Sequence, residues 1–375
     1  MSDEIQTQTR TAFRELLDTL GEIDRRWASA EWNLLGEADV ADAHRALMHM
    51  LGGGISTFLE VDATRPRFQR IVTPTLKFSG DNADAIYFDA DVSPDYQYVV
   101  RGRMDGAVYV SITIECDTRD GSMASRTAGV INDEKFDVDQ DGRFEIHLGG
   151  PEQERNWLPL EEHATRITTR HYYENEVSAA ADPARNAELR IEVVSPATPP
   201  PPPPTDESIA SSIRRVARFV RSRTLEQLPM AKREQPTFVG LVPNQFPKPV
   251  SPDNFGLAAF DALYSMAPYY IGPDEALVMT GRWPKCRNAN VSLWNRFLQT
   301  LDYVNRPVSR NRAQTTLEPD GSFEIVLAHS EPGHPNWIDT EGKPFALVFW
   351  RFFLVEGEVE TPQARVAPFA EVARR

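Results

Sequence analysis

A chain of 375 residues with 41% hydrophobic and 10% aromatic side chains carries enough apolar material for two cores, yet no apolar stretch approaches the roughly 18 residues that span a bilayer. Its formal charge of −15 argues against nonspecific contact with nucleic acid or anionic membrane. Cys116 and Cys286 share no motif and the N-terminal MSDEIQTQTR carries no secretory pattern, so the expected setting is reducing and cytoplasmic.

Two helices open the chain. Phe13, Leu16, Leu17, Leu20, Ile23 and Trp27 follow helical spacing, as do Val40, Leu47, Met50 and Leu51, and Gly52, Gly53 and Gly54 are expected to stop the second helix. From about residue 70 the pattern changes to short apolar or alternating runs: YQYVVRGR, AVYVSITIE, RFEIHL and ATRITTRHYY. Asp-Gly pairs at 105–106, 120–121 and 141–142 punctuate them as hairpin turns at sandwich spacing.

The six prolines Pro199 to Pro204 favour polyproline II and cannot continue a helix or a central strand. At about 3.1 Å per residue they make a semi-rigid spacer of roughly 20 Å. The expected domains are 1–195, a helical lead-in with a first β-sandwich, and 207–375, a helix with a second, joined by a linker over 196–206. Past the linker, Ile209, Ile213, Val216 and Val220 form the buried stripe of a helix over 207–224, with the arginines of SIRRVARFVRSR on its solvated face. Strands such as EALVMTGR, SFEIVLA and PFALVFWRFFLV follow. Charge divides unevenly, −16 over residues 1–200 and +1 over 201–375.

The halves repeat. Pro94-Asp95 matches Pro273-Asp274, Gly102-Arg103 matches Gly281-Arg282, and DGRFEI from Asp141 matches DGSFEI from Asp320, all at an offset of 179. Asn156-Trp157 matches Asn336-Trp337 at 180, and Arg170 matches Arg351 at 181. Such constancy indicates internal duplication.

At these residues the chain resembles the bacterial domain-of-unknown-function family twelve-fourteen, whose segments end in a DG turn, a strand, an Asn-Trp turn and an Arg-bearing aromatic strand. DGRFEIHLGGPEQERNWLPLEEHATRITTRHYY and DGSFEIVLAHSEPGHPNWIDTEGKPFALVFWRFF carry the resemblance. It implies a jelly-roll sandwich beside helices and leaves function open. The expected fold class is therefore α+β, mainly β, with two tandem jelly-roll-like β-sandwich halves each preceded by helices.

No catalytic motif stands out. There is no G-x-S-x-G, no Gly-rich phosphate loop, and no cysteine beside a histidine in a suggestive frame. His44 and His49 are five apart, on different helix faces. His329 and His334 flank a loop with Glu331, but the first half has no histidine at the equivalent positions, so neither a metal nor a cofactor is expected. DVDQDG lacks the distal glutamate of a calcium loop and reads as a hairpin turn.

Arg351 shares a strand face with Phe349 and Phe353, and a buried arginine needs either an internal carboxylate or an anionic ligand; Arg103, Arg170 and Arg282 face the same choice. Between residues 282 and 314, Trp283, Trp294, Phe297 and Tyr303 interleave with Arg282, Arg287, Arg296 and Arg306. Together these residues point to a small-molecule-handling protein, with an aromatic and Arg-lined pocket for a bulky, mostly apolar, anionic ligand held by Arg282, Trp283, Asn336, Trp337 and Arg351. The alternative is a non-catalytic interaction or scaffold protein, in which the Asn-Trp pairs are corner fixtures. The sequence names neither a reaction nor an oligomeric state.

Overall fold

A computed structural model describes residues 5–373 except 35, 183, 195–198, 230, 231, 233 and 255. Three helices matter for the site: α1 (Gln8–Arg26), α2 (Glu37–Phe58) and α3 (Asp206–Arg223). Helix α3 starts at a reciprocal capping box between Thr205 and Ser208, which satisfies two otherwise orphaned N–H groups. Its Val216, Phe219 and Val220 pack with Ile23 of α1 and Leu47 and Phe58 of α2 in one helical cluster.

The three glycines do not stop α2, which runs on through them to Phe58. They serve close packing instead. A Cβ on Gly54 would lie 3.0 Å from Phe219 Cδ1, and one on Gly52 3.1 Å from Leu76 Cδ1, so α3 and the following loop approach the helix where it has no side chains.

The first sandwich sets a five-stranded sheet, ordered β1 (Gln69–Arg70), β2 (Ala85–Asp91), β8 (Ala164–Tyr172), β4 (Tyr109–Cys116) and β5 (Thr127–Asn132), on a four-stranded one, ordered β7 (Trp157–Leu158), β6 (Arg143–Leu148), β3 (Tyr98–Arg103) and β9 (Leu189–Val193). The second repeats this: β10 (Ala262–Tyr270), β16 (Phe345–Phe353), β12 (Asn288–Trp294) and β13 (Ser309–Asn311) against β15 (Trp337–Asp339), β14 (Phe323–Ala328), β11 (Glu275–Gly281) and β17 (Gln363–Pro368). Leaving aside β1, the strand orders correspond one for one. Each sandwich has its own core, around Ile112, Phe144 and Ile167 in the first and Leu277, Phe323 and Trp350 in the second.

The Asn-Trp turns share two side-chain bonds. Asn156 Oδ1 accepts from Asp137 N at 2.8 Å and Asn336 Oδ1 from Thr316 N at 2.7 Å. Trp157 Nε1 donates to Gly149 O at 2.9 Å and Trp337 Nε1 to Ala328 O at 3.2 Å. Each turn sends a short parallel strand alongside the DG hairpin, β7 on β6 and β15 on β14.

Every residue of β8 and of β4 is buried, because their sheet is covered on both faces. Its inner face meets the first core; its outer face meets the outer face of the β10–β16–β12–β13 sheet. Tyr109 and Tyr172 pack on Phe353 with ring centroids 4.9 and 4.4 Å apart. Of the expected linker, residues 196–198 lie outside the described residues, and 199–205 are exposed and outside helices and strands.

Candidate functional site

Where the two outer sheet faces meet the helical cluster, they enclose a cavity of about 520 Å³. Trp294, Leu347, Phe349 and Met266 supply its apolar wall from the second sandwich, and Tyr87, Thr168 and Tyr172 face them from the first. Trp27, Trp32, Phe78 and Phe297 close the helical side. Exposed Leu228 and Glu234 among the lining residues put the opening on that side.

Two equivalent arginines frame the cavity. In the first sheet Arg170 lies opposite Tyr87 and Ser111, and in the second Arg351 lies opposite Tyr264 and Asn290. Each guanidinium crosses to the other half. Arg170 Nη2 donates to Leu257 O at 2.8 Å, and Arg351 Nη2 to Gly80 O at 2.6 Å. Gly80 and Leu257 precede their sheets' Tyr87 and Tyr264 by the same seven residues, and both adopt positive φ, 88° and 68°. Leu257 holds that unfavourable conformation with its N–H donated to Glu115 Oε2 at 2.9 Å.

A second reciprocal pair reinforces the clasp. Asn132 of the first half donates to Asp261 at 2.7 Å, and its counterpart Asn311 donates to Asp84 at 3.1 Å. Burial pushes the Asp84 carboxyl up to about 6, despite donors from Asn290 and Asn311.

The surroundings of the two arginines differ. Arg170 has a carboxylate close by, Glu115, and shares with it the hydroxyl of Thr113, 3.0 Å from Nη1 and 2.7 Å from Glu115 Oε1. Burial raises the Glu115 pKa even so. Arg351 donates to main-chain carbonyls and lies 4.9 and 4.3 Å from the ring centroids of Trp294 and Phe349, while the buried Asp81 carboxyl coupled to it is bonded to Thr300.

The phenols supply neutral donors. Tyr87 and Tyr172 hydroxyls are 3.1 Å apart, and burial holds Tyr87 and Tyr264 above the ordinary phenol range. Arg223, at the end of α3, stacks over Phe78 and Phe219 with its Nε enclosed and unpartnered, and burial lowers it to about 10. It does not share the solvated face expected for the helix's arginines. Its aliphatic stem follows the helix back onto Phe219, one turn earlier, and carries the guanidinium beneath the helix.

Of the five residues expected at a ligand site, Arg351 alone lines this cavity. Arg282 sits at the surface, paired to Asp320 at 2.7 Å and donating to its carbonyl, as Arg103 does to Asp141. Trp283 packs into the second core against Phe323 and Trp350. Asn336 and Trp337 tie the corner turn. The cluster at 282–314 divides: Trp294, Arg296 and Phe297 line the cavity, Tyr303 enters the core, Arg306 pairs with Asp339, and Arg287 bridges to Asp133 of the first half. His334 faces Glu324 at 3.4 Å and His329 bonds Thr340, and no group of three metal-ligating side chains occurs among the described residues. No helix among the described residues is long and apolar enough to cross a membrane.

Arg223, Tyr87 and Tyr264 were not legible as site residues. The available signals were Phe219, four residues before Arg223, and the cross-strand partners that the two matched arginines must have.

Comparison with solved structures finds the same fold in an uncharacterized protein from Burkholderia cenocepacia, 24% identical, with a TM-score of 0.82 over 96% of this chain and 97% of that one. The VPA0106 protein from Vibrio parahaemolyticus is 13% identical, with a TM-score of 0.48 over 87% and 98%. Comparison with curated proteins finds no match. The family model described as "Protein of unknown function (DUF1214)" matches residues 85–176 and 295–354, one segment in each sandwich. The resemblance to family twelve-fourteen thus holds in both halves, consistent with a duplicated domain.

Proposed function

We propose that the protein takes a bulky, largely apolar ligand bearing an anionic group into the cavity between its two sandwiches. One observation carries this: a cavity of about 520 Å³, open on the helical side and walled by aromatic and aliphatic side chains, is lined by four arginines, Arg170, Arg223, Arg296 and Arg351, against two acidic residues, Asp81 and Glu234. Small-molecule sites fall at about 300–1,000 Å³, favour the junctions between packed units and combine apolar walls with a few convergent polar groups. Apolar surface facing an open cavity forgoes the burial that folding otherwise secures, which favours an apolar occupant. Cys116 and Cys286 are both free, which supports a reducing, cytoplasmic setting.

The test is binding of the uncharged fluorophore N-phenyl-1-naphthylamine, with native mass spectrometry of the purified protein for a co-purified ligand. Met266→Trp, which fills the cavity from β10, should abolish probe binding while the protein stays folded. Unchanged binding in that variant would sink the cavity as the site and move the scaffold function ahead.

A further inference from the structure

The four arginines around the cavity differ in how far the protein satisfies them. Arg170 and Arg351 are committed to carbonyls of the opposite half, and Arg296 donates to Asn33 O at 2.9 Å and faces Asp39 at 3.2 Å. Arg223 rests on the rings of Phe78 and Phe219, and its enclosed Nε has no partner among the described residues. The carboxylates near it are engaged elsewhere. Asp89 takes Arg166 Nε on both oxygens at 2.9 Å, and Glu115 accepts from Thr113, Thr127 and Leu257 N.

The cavity lining holds a second unsatisfied group. Thr168 lies opposite Asp89 and Thr113 in the sheet, is 2% exposed, lines the cavity, and has its Oγ1 enclosed without a partner. A half-buried cation whose enclosed Nε lacks an acceptor, on the helical side, and a buried hydroxyl without a partner, on the first-sandwich wall, line the same cavity and together offer donors to an oxygen anion. The opposite wall, formed by Met266, Trp294, Leu347 and Phe349, offers an apolar surface.

We propose that Arg223 is the anion anchor of the cavity, with Thr168 Oγ1 as an accessory donor, and that the ligand is an amphipathic monoanion: one carboxylate, sulfonate or phosphate head on an apolar body. This rests on the cavity being the ligand site. Burial also lowers the Arg223 pKa to about 10, and a bound anion would offset that desolvation. Arg170 and Arg351 then hold the frame, and Arg223 chooses the head group.

Two fluorophores that differ only in a sulfonate separate the claims: 8-anilino-1-naphthalenesulfonate and N-phenyl-1-naphthylamine. The wild-type protein should prefer the sulfonate. Arg223→Gln should weaken the sulfonate about tenfold or more, as expected for losing charge-assisted hydrogen bonds, and leave the neutral probe within about twofold. If neither probe binds the wild type, the cavity itself is not a ligand site and the anchor falls with it. If both bind and Arg223→Gln leaves the sulfonate untouched, the anchor is wrong and the cavity stands. Should Arg223→Gln lose both probes by unfolding, Arg223→Met, which keeps an unbranched stem over Phe219 without the charge, decides. Loss of the sulfonate preference with the neutral probe still bound supports the anchor; a retained preference overturns it.

Discussion

The two sandwiches agree where they hold each other and disagree where they face the cavity. Tyr87 matches Tyr264, Arg170 matches Arg351, Asp84 matches Asp261 and Asn132 matches Asn311, and the bonds these residues make across the interface are reciprocal. A self-complementary interface of this kind is what twofold dimers display, here within one chain. Around that frame the faces diverge. Asp89, Glu115 and Thr168 of the first sheet stand where the second has Met266, Trp294 and Phe349. The interface therefore conserves its clasp between the copies while making one face polar and the other apolar. A symmetric frame with asymmetric faces suits a ligand with two unlike ends.

The sharpest way to break this comparison is to remove each arginine in turn. Arg170→Ala leaves Glu115 buried beside Leu257 without its cation, and should cost about 3–5 kcal/mol by urea denaturation. Arg351→Ala strands the carbonyls of Gly80 and Asp81, removes packing on Trp294 and takes one cation from the buried Asp81 carboxyl, which keeps Lys77 and its bonds from Thr300, and should cost about 2–3 kcal/mol. Equal losses would mean that the clasp, and not the neighbouring carboxylate, sets the energy.

Much of the frame was legible in the sequence because duplication writes it twice. The DG hairpins, the Asn-Trp corners and the Arg strands fell at offsets of 179, 180 and 181, and each occupies the equivalent place in its sandwich. The alternation of β16 correctly put Arg351 with Phe349 and Phe353. What alternation cannot say is which of two buried faces meets the sandwich core and which meets the other half, because both are apolar. Hence Trp283, Asn336 and Trp337 read as neighbours of Arg351 and lie elsewhere. The glycines of α2 failed for a related reason: glycine either ends a helix or lets another helix approach, and only the partner, Phe219, decides. Arg223 was hidden by the helical polar face to which its spacing assigned it.

The corners offer a second comparison, smaller in effect. Asn336 is buried and makes three hydrogen bonds, accepting from Thr316 N and donating to Thr316 O and Glu324 O. Asn156 is half-exposed, with its side chain on Asp137 N and its backbone at φ 58°. Asn336→Ala should cost about 2–3 kcal/mol in thermal or urea unfolding and Asn156→Ala about 1 kcal/mol. A reversed order would show that the left-handed turn, rather than the buried bonds, holds these corners together.

A small expected effect at neutral pH, and the one with a sign that pH can read, concerns His171. It lies wholly buried in the first core against Phe88, with neither ring nitrogen bonded, where the second core has Phe352. Replacing it with the residue its counterpart already uses, His171→Phe, removes two unsatisfied polar atoms and should stabilise the protein by about 1–2 kcal/mol at pH 7. Burial lowers the His171 pKa from 6.5 to about 4, so as pH falls below 6.5 the unfolded chain takes the proton before the folded one. Stability contributed by the neutral imidazole is therefore present above 6.5 and lost progressively down to about pH 4. The carboxyl of Asp84 acts in the opposite sense over a similar range, since its raised pKa lets the folded state take a proton first. Absolute stability curves thus blend the two, but the difference between His171→Phe and the wild type does not. That difference should widen as pH drops from 6.5 to 4, by up to about 3 kcal/mol. A gap that stays constant across this range would mean that His171 is protonated or solvated in the folded core, and that the two cores are less alike than their strands.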